Sequence, residues 1–434
     1  MPLTFSSTAS SFDCIVRAAE VELIERSLVT PLELSTGRID AATEAQVRVT
    51  VELANGRRGV GRGSIYLSDL WAWPAAEIAR PARARALRDS TAQIADELPR
   101  RTSEAFHPLE LGLQLHAWVC IELRAAHGMP ALARMMCGSP FDAAIHDAVG
   151  IATGQSAFAF YEEGSSLPSA DSYFSGGSAN AAIRRLIAPM KHSLPAWWIV
   201  GKSDSLPNCL ARPVRESGYE RFKLKITGHD VEGDAKRTAD VYRAALSLGV
   251  REPKLVVDSN EANADDQSVL DYLANLRAID AEAWDAVMYL EQPTARSIAE
   301  QPFDWREVTN LKPVMLDEGL TDLAVLPLAL EQGWSGLALK TCKGHSLMLV
   351  AAAWASEHGL LLSMQDLTNP GVSLIHSALM AAHLPTINGL EGNSPQFTPA
   401  ANAEFLPRLA CLFEPRNGCH QLPTAPIVGL GSGW

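Results

Sequence analysis

Five short apolar runs in the second half of the chain each end in charged or polar residues. In order, the runs are RFKLK, KLVVDSN, VMYLEQP, PVMLDEG and GLALKTCKG, and their strand-end residues are Lys225, Asp258, Glu291, Asp317 and Lys340. These residues follow one another at intervals of 23 to 33 positions, with helix-like segments between them. Strand, helix and strand at this spacing predict parallel βα units joined by right-handed crossovers.

Three further apolar segments bring the predicted strand count to eight. AWWIVGKS precedes the five runs, and GLLLSMQD and TINGLEGN follow them. Eight parallel strands that alternate with helices form a (β/α)₈ barrel, so we predict an α/β fold of this TIM type. A doubly wound open sheet is the alternative, but no GxGxxG turn follows the first of these strands.

The first third of the chain has a different pattern. Apolar residues alternate from Val47 to Leu53 and lead into Asn55-Gly56, which predicts a β-hairpin. A helical pattern follows over residues 75–154. The stretch that begins at residue 161 is rich in Ser and Gly, and we predict a linker over residues 161–195.

Composition and charge exclude several classes of function. The chain of 434 residues is 47% hydrophobic and 20% charged, which is typical of a soluble globular protein, and its net charge of −13 argues against a nucleic-acid partner. The most apolar run, Leu347 to Ala355, is too short to cross a bilayer, and no signal-peptide pattern precedes the fold. Seven scattered cysteines without CxxC spacing indicate reduced thiols. We therefore expect a cytoplasmic protein that binds neither nucleic acid nor membrane.

Three carboxylates end three successive predicted strands. In parallel barrels the strand ends lie close together and carry the catalytic residues. Asp258, Glu291 and Asp317 would therefore converge near the mouth of the barrel, with no Cys or His among them. Oxygen ligands of this kind suit a hard divalent cation, so we predict a Mg²⁺ site. Glu318 is an alternative ligand to Asp317.

Lysines lie on the strands before and after these carboxylates. Lys223 and Lys225 are two residues apart on one strand, so their side chains share a face, and Lys340 ends a later strand. A divalent cation on a substrate carboxylate stabilises an enediolate, and a lysine in cationic surroundings has a lowered pKa and can act as a base. Two lysines, one on each side, would remove a proton from one face of a carbon and return it to the other.

The ordered strand-end motifs resemble those of a known family. KLK, DSN, EQP, DEG and LK together resemble the enolase superfamily, in the branch of muconate-lactonising enzymes and dipeptide epimerases (the mandelate racemase/muconate lactonizing enzyme family). Outside the strands, GVGRG resembles the hairpin of the family's cap domain, AAIHDAVGIATG its last cap helix and NGCHQLPTAPIVGLGSG its C-terminal tail. The resemblance covers almost the whole chain.

The resemblance implies a division of the chain. It implies an α+β capping domain at residues 1–160, a (β/α) barrel at 196–395 and a tail at 396–434 that returns to the cap. The loops Val29–Ser35 and Ser64–Trp71 would lie over the barrel mouth. A homo-oligomer is also what the family suggests.

The resemblance further implies roles for individual residues. The implied site residues are Asp258, Glu291 and Asp317 as Mg²⁺ ligands and Lys225, Lys340 and Lys223 as catalytic residues. Lys225 and Lys340 would be the two acid/base residues on opposite faces of the substrate, and Lys223 would face its carboxylate. Candidate substrate contacts are Glu391, Asp366, Tyr66, Trp71 and His345. Tyr66 and Trp71 would otherwise belong to the core of the cap.

The sequence also departs from the family pattern. The predicted seventh strand ends in SMQDLTN, without the histidine of the mandelate-racemase branch, which argues against that branch. The eighth lacks the Asp-x-Asp that holds the amino group in dipeptide epimerases, which weakens the case for dipeptide epimerisation. Arg62 stands where the family usually carries Glu.

Several functions follow as hypotheses. The first is a Mg²⁺-dependent enzyme that abstracts a proton α to the carboxylate of a small molecule, as a racemase or epimerase. Cycloisomerisation and syn-dehydration share the same enediolate and are alternatives. A lyase that uses a lysine as a Schiff-base nucleophile, or a barrel that only binds, are alternatives from other classes.

Overall fold

The computed structural model describes residues 10–34, 37–74, 77–162 and 166–434, apart from the side chains of residues 123–127. In chain order its strands are β1 (Cys14–Leu34), β2 (Gly37–Leu53), β3 (Arg58–Leu67), β4 (Ser193–Pro195), β5 (Trp198–Val200), β6 (Arg221–Lys225), β7 (Lys254–Asp258), β8 (Val287–Glu291), β9 (Val314–Leu316), β10 (Gly336–Lys340), β11 (Leu361–Gln365) and β12 (Cys419–Gln421). Its α-helices are α1 (Asp69–Ala72), α2 (Arg80–Arg101), α3 (Pro108–His127), α4 (Ala131–Thr153), α5 (Pro168–Asp171), α6 (Ala179–Leu186), α7 (Asn208–Arg212), α8 (Val231–Ser247), α9 (Asp266–Ile279), α10 (Ala281–Ala286), α11 (Arg306–Thr309), α12 (Val325–Glu331), α13 (His345–Glu357), α14 (Val372–His383), α15 (Ser394–Phe397) and α16 (Leu406–Phe413). Single 3₁₀ or π turns lie at Ala157–Ala159, Pro213–Ser217, Thr341–Lys343 and Pro399–Asn402.

Seven of the strands described above form one parallel sheet in sequential order, from β5 to β11. The register places Lys225 of β6 beside Asp258 of β7, and Asp258 beside Glu291 of β8. Helices connect these strands, which confirms the predicted mixed α/β class. A doubly wound sheet reverses its strand order at a switch point, so the sequential order excludes that alternative.

The predicted eighth strand is present as a bridging segment (residues 387–391) rather than as a continuous strand. Leu390 forms an isolated parallel bridge with Ala196, just before β5, and Glu391 forms one with Gln365 at the end of β11. Gly389 has a φ of 78°, which interrupts the extended conformation, and an added Cβ there would lie 2.6 Å from a Pro195 side-chain atom. The segment therefore contacts both edges of the sheet and brings Glu391 to its carboxyl end.

The first three strands form a separate antiparallel sheet in the order β1-β2-β3. The predicted hairpin at Asn55-Gly56 is confirmed, since it joins β2 to β3. The glycines of the GVGRG motif lie against α4, where a Cβ added to Gly61 would lie 2.1 Å from the carbonyl oxygen of Ala144. The glycines of this motif therefore allow the backbone of β3 to lie directly against the backbone of α4.

The segment over residues 161–195 contains α5, α6 and β4, while its residues 163–165 lie outside the described part of the chain. Ala179 and Ile183 of α6 are fully buried. β4 pairs with β12, and residues near the C-terminus reach α4, where the Asp147 carboxylate accepts a hydrogen bond of 2.8 Å from the Leu430 backbone N–H.

None of the helices described here combines the length and apolar character needed to cross a membrane.

Candidate active site

The carboxyl ends of β6 to β10 bring the predicted strand-end residues into one buried cluster. The cluster contains Lys223, Lys225, Asp258, Glu291, Asp317 and Lys340, each no more than 8% exposed. Lys223 and Lys225 point to the same side of β6 because side chains alternate along a strand. Charged groups are stable at this depth only when opposite charges contact them.

Lys223 lies among three carboxylates. Its Nζ is 2.8 Å from Glu291 Oε1, 3.1 Å from Glu391 Oε2 and 3.2 Å from Asp258 Oδ2. Burial alone would lower the pKa of Lys223, but these carboxylates raise it well above its ordinary value. Lys223 is therefore held as an ammonium ion and balances charge at the centre of the cluster.

Lys225 contacts a carboxylate on the neighbouring strand. Its Nζ donates to Asp258 Oδ2 at 2.5 Å, in agreement with the pairing of β6 and β7. Burial would raise the pKa of Asp258, but Lys225 and Lys223 outweigh it and lower this pKa to about 2. Asp258 is therefore ionised and Lys225 has a fixed orientation.

Lys340 lies on the other side of the cluster, at the end of β10. Its Nζ donates to Asp317 Oδ2 at 2.5 Å and lies 3.6 Å from Glu291 Oε1. Lys343 donates to the same carboxylate, with its Nζ 2.9 Å from Asp317 Oδ1 and 2.6 Å from the Asp317 carbonyl oxygen. Although burial opposes ionisation, these two lysines hold the pKa of Asp317 well below its usual range.

With the adjoining residues Glu318, Lys343, Asp366 and Glu391 included, the cluster has more carboxyl groups than cations. Its six carboxyl groups are Asp258, Glu291, Asp317, Glu318, Asp366 and Glu391, and its four ammonium groups are Lys223, Lys225, Lys340 and Lys343, all buried. Burial, with neighbouring negative charge, raises the pKa of Glu291 to about 7 and that of Glu318 to about 8. Burial is also the main cause that raises the pKa of Asp366 to about 8. If all ten groups were ionised, the cluster would have two more negative charges than positive ones. One divalent cation would neutralise this excess.

A cavity of about 50 Å³ opens onto this cluster. Its polar wall contains Lys223, Lys225, Asn260, Lys340, Asp366, Thr368 and Glu391. Its remaining wall contains Leu28, Leu32, Leu34, Ile39, Ala42, Tyr66, Ser68, Trp71, Ile199 and Leu367. The structure therefore brings both candidate acid/base lysines and the predicted contacts Glu391, Asp366, Tyr66 and Trp71 to one cavity.

Tyr66 and Trp71 line the cavity with polar atoms that already have partners. The Tyr66 hydroxyl lies 3.0 Å from Thr398 Oγ1, and Trp71 Nε1 donates to Glu318 Oε1 at 2.9 Å. Lys340 Nζ also lies 5.0 Å from the centre of the Trp71 ring, in a cation–π contact. Both residues are therefore buried parts of the cavity wall.

Two other residues that the sequence analysis singled out lie elsewhere. His345 packs against His146, with ring centres 4.5 Å apart, and is not among the residues that line the cavity. Arg62 forms a two-point ion pair with Glu404, at 2.8 and 3.0 Å, beside a larger cavity of about 340 Å³ on the first sheet. That larger cavity contains none of the strand-end residues, so the smaller one is the candidate site.

Comparisons with known proteins identify the family. A family model described as Enolase C-terminal domain-like matches residues 208–433, which is more than half of the chain. The chain belongs to this family of the enolase superfamily. The superfamily predicted from the ordered strand-end motifs is therefore confirmed. No curated protein sequence matches the chain.

Solved structures of the enolase superfamily share this fold over nearly their whole length. A muconate lactonizing enzyme from Pseudomonas fluorescens, complexed with muconolactone, aligns with a TM-score of 0.64 at 17% identity, covering 96% of each chain. A dipeptide epimerase from Enterococcus faecalis, complexed with Mg and the dipeptide L-Leu-L-Tyr, gives 0.66 at 15%, covering 96% of this chain and 99% of the other. An N-succinyl Arg/Lys racemase from Bacillus cereus gives 0.63 at 16%, covering 96% and 95%. At these identities the likeness establishes the fold.

The metal ligands implied for an enolase-superfamily protein can be tested on this cluster. Among the described residues, no three His, Cys, Asp or Glu side chains surround a common point as a metal site requires. Lysines instead form ion pairs with the carboxylates of Asp258, Glu291 and Asp317. Their oxygen donors and the excess of carboxyl groups nevertheless fit a hard divalent cation. The residues therefore fit Mg²⁺ in chemistry and charge, with their oxygens turned towards ammonium groups.

Two residues of the candidate site, Lys343 and Gln292, were not predicted from the sequence. Lys343 lies in the 3₁₀ turn after β10, where strand alternation gives no direction for a side chain. The side-chain oxygen of Gln292, in the EQP motif, accepts hydrogen bonds from the backbone N–H groups of Asp317 at 2.9 Å and Gly319 at 3.1 Å. Both residues lie in polar motifs at strand ends, GLALKTCKG and EQP, and this was the signal that the sequence offered. Their contacts depend on how neighbouring βα loops pack, which the sequence does not show.

Proposed function

We propose that this protein is a Mg²⁺-dependent enzyme that removes a proton α to the carboxylate of a small molecule, and that it is a racemase or epimerase. The observation that carries the proposal is the placement of Lys225 and Lys340. Both line one cavity, and they lie on β6 and β10, four strands apart in a sequential sheet. The bridging segment completes, in this proposal, a closed barrel of eight strands capped by the N-terminal sheet. Strands four apart in such a barrel face each other, so the two lysines approach a substrate from opposite sides.

Asp258, Glu291 and Asp317 are the residues that would hold Mg²⁺. When bound there, the cation supplies positive charge that stabilises the enediolate and lowers the pKa of nearby lysines. Lys223, which contacts three carboxylates, places a permanent positive charge beside the substrate carboxylate. This charge favours the form of the substrate in which negative charge moves from the α carbon onto the carboxylate oxygens.

The proton transfers follow from the two lysines. In one direction Lys225 Nζ, as the neutral amine, takes the proton from the α carbon, and the Lys340 ammonium gives a proton to the opposite face. The reverse direction exchanges these roles. The buried cavity keeps bulk water from the carbanionic carbon, so that each proton comes from a lysine. Configuration at the α carbon is inverted by this sequence.

Hydrogen exchange at the α carbon tests the proposal. In D₂O with Mg²⁺, the wild type should incorporate deuterium into both stereoisomers of a substrate, as followed by NMR across a set of chiral carboxylates. Lys225→Ala should lose exchange with one stereoisomer and Lys340→Ala with the other. Lys254→Ala, at the exposed opposite end of β7, is the matched control and should behave as wild type. Exchange that survives in the double variant would refute the acid/base assignment.

Cycloisomerisation is the second candidate function, because muconate lactonizing enzymes share the fold. It passes through the same enediolate and would need only one of the two lysines to move a proton. Product analysis separates the candidates, since a racemase returns the mirror-image substrate whereas a cycloisomerase forms a ring. The Schiff-base alternative uses a lysine as a nucleophile towards a carbonyl substrate, and borohydride trapping of such a substrate would detect it.

A further inference from the structure

The hairpin formed by β1 and β2 provides five apolar residues of the wall of the candidate site. Leu28, Leu32 and Leu34 reach the cavity from β1, and Ile39 and Ala42 reach it from β2. All five are aliphatic. Ser35 and Thr36, which complete the predicted loop Val29–Ser35 and the turn after it, lie outside the described residues.

The hairpin also carries many charged residues, but those among its described residues do not line the cavity. Glu33 Oε2 accepts a hydrogen bond of 2.6 Å from the Ser203 hydroxyl. Arg38 and Asp40 form an exposed ion pair at 2.8 Å, and neither lines the cavity. The described part of the hairpin therefore presents aliphatic side chains to the site while its charges face elsewhere.

The cavity consequently has two chemically different ends. Ammonium and carboxyl groups form one end, where a substrate carboxylate would lie beside Lys223. The aliphatic side chains form the other, and Leu28, Leu32 and Ala42 are only partly covered by the protein, so they have surface left to contact a ligand. Apolar surface binds hydrocarbon favourably, whereas a charged group placed there would lose its water without gaining a partner.

We propose that the substrate is a carboxylate whose substituent is uncharged and apolar, and that this substituent lies against Leu28 and Leu32 of the hairpin. The inference rests on the proposed function for the orientation of the substrate, with its carboxylate at the lysine end. It assigns the hairpin the role of selecting the substituent. It excludes substrates whose side chain ends in an ammonium or a second carboxylate.

Matched ligands test this assignment by binding. Nα-acetyl-norleucine and Nα-acetyl-lysine have side chains of similar length, and only the lysine side chain ends in an ammonium. Nα-acetyl-methionine and Nα-acetyl-glutamate form a second pair, in which only the glutamate side chain ends in a carboxylate. In calorimetric titrations of the full-length protein with Mg²⁺ present, the apolar member of each pair should bind at least about tenfold more tightly. Equal binding within a pair, tighter binding of the charged member, or no binding of either apolar ligand would overturn the assignment.

Charge substitutions on the hairpin provide the second arm. Leu32→Glu, and separately Leu28→Glu, should lower affinity for Nα-acetyl-norleucine about tenfold or more and narrow or reverse its advantage over Nα-acetyl-lysine. Leu23→Glu is the control, because Leu23 is on the same strand, is 37% exposed and does not line the cavity. A preference unchanged in both folded cavity variants would refute the role of the hairpin.

Deuterium exchange on the same ligands keeps the two proposals distinguishable. A binding preference without exchange at the α carbon of these ligands and of the other chiral carboxylates in the set would refute the proposed function and leave the hairpin assignment standing. Exchange without the preference would refute the hairpin assignment alone.

Discussion

Lys343 is bound to Asp317 through two different oxygens, although it belongs to neither of the strands that carry the other lysines. Its side chain is fully buried, as is that of Asp317. Lys340 holds the other oxygen of the same carboxylate. The carboxylate is therefore held by both of its oxygens, and Lys343 helps to orient it.

Replacing Lys343 by Met keeps the volume of the side chain and removes its charge. We expect the free energy of unfolding to fall by about 3–5 kcal/mol, since Asp317 would lose one of its two cations in the protein interior. Urea denaturation measures this. Lys236→Met is the control, because Lys236 pairs with Asp240 on the exposed face of α8 and should change stability by less than about 1 kcal/mol. A similar small effect in both variants would contradict the structural role of Lys343.

At the scale of elements, an ion pair joins α3 to the loop after β9. His116 Nε2 on α3 lies 3.5 Å from Asp322 Oδ2. Burial alone would lower the pKa of His116, but the contact with Asp322 outweighs it and raises this pKa to about 9. The same contact lowers the pKa of Asp322. The pair therefore ties a helix before the parallel sheet to a loop of the sheet itself.

The stability that this pair provides should depend on pH. Because the pKa of His116 is higher in the folded chain than its ordinary 6.5, the contribution is complete below pH 6.5 and is lost as the pH rises through about 9. Thermal melting of the wild type and of Asp322→Asn between pH 6.5 and about 9 measures this contribution. The difference in melting temperature between the two proteins should shrink towards alkaline pH. A difference that stays constant across this range would contradict the charged pair.

At the scale of the whole molecule, the candidate metal ligands belong to three neighbouring βα units. Asp258 ends β7, Glu291 ends β8 and Asp317 follows β9 directly. A cation that binds all three carboxylates at once can do so only in the folded chain, because the unfolded chain does not hold them together. Its binding energy would therefore add to the stability of the parallel sheet as a unit.

Millimolar Mg²⁺ should raise the melting temperature of the wild type, and a chelator should reverse the rise. A concentration of one hundred times the dissociation constant would stabilise the fold by about 2.7 kcal/mol. Glu291→Gln should reduce this response, whereas Glu300→Gln, at an exposed position beyond the same strand, should keep it. A melting temperature that does not respond to Mg²⁺ in the wild type would contradict the metal site.

The sequence by itself determined the parallel strands and the residues that end them. Asp258 and Glu291 could be placed because alternation along a strand and the spacing of βα units are local properties of the chain. The tertiary structure alone decided that Lys343 contacts Asp317, that the eighth segment is a bridge around Gly389, and that Leu32 lines the same cavity as the lysines. Leu32 comes from the first sheet and the lysines from the second, so their shared cavity depends on how the two sheets pack together. Such packing is set by the whole buried surface, which no local pattern encodes.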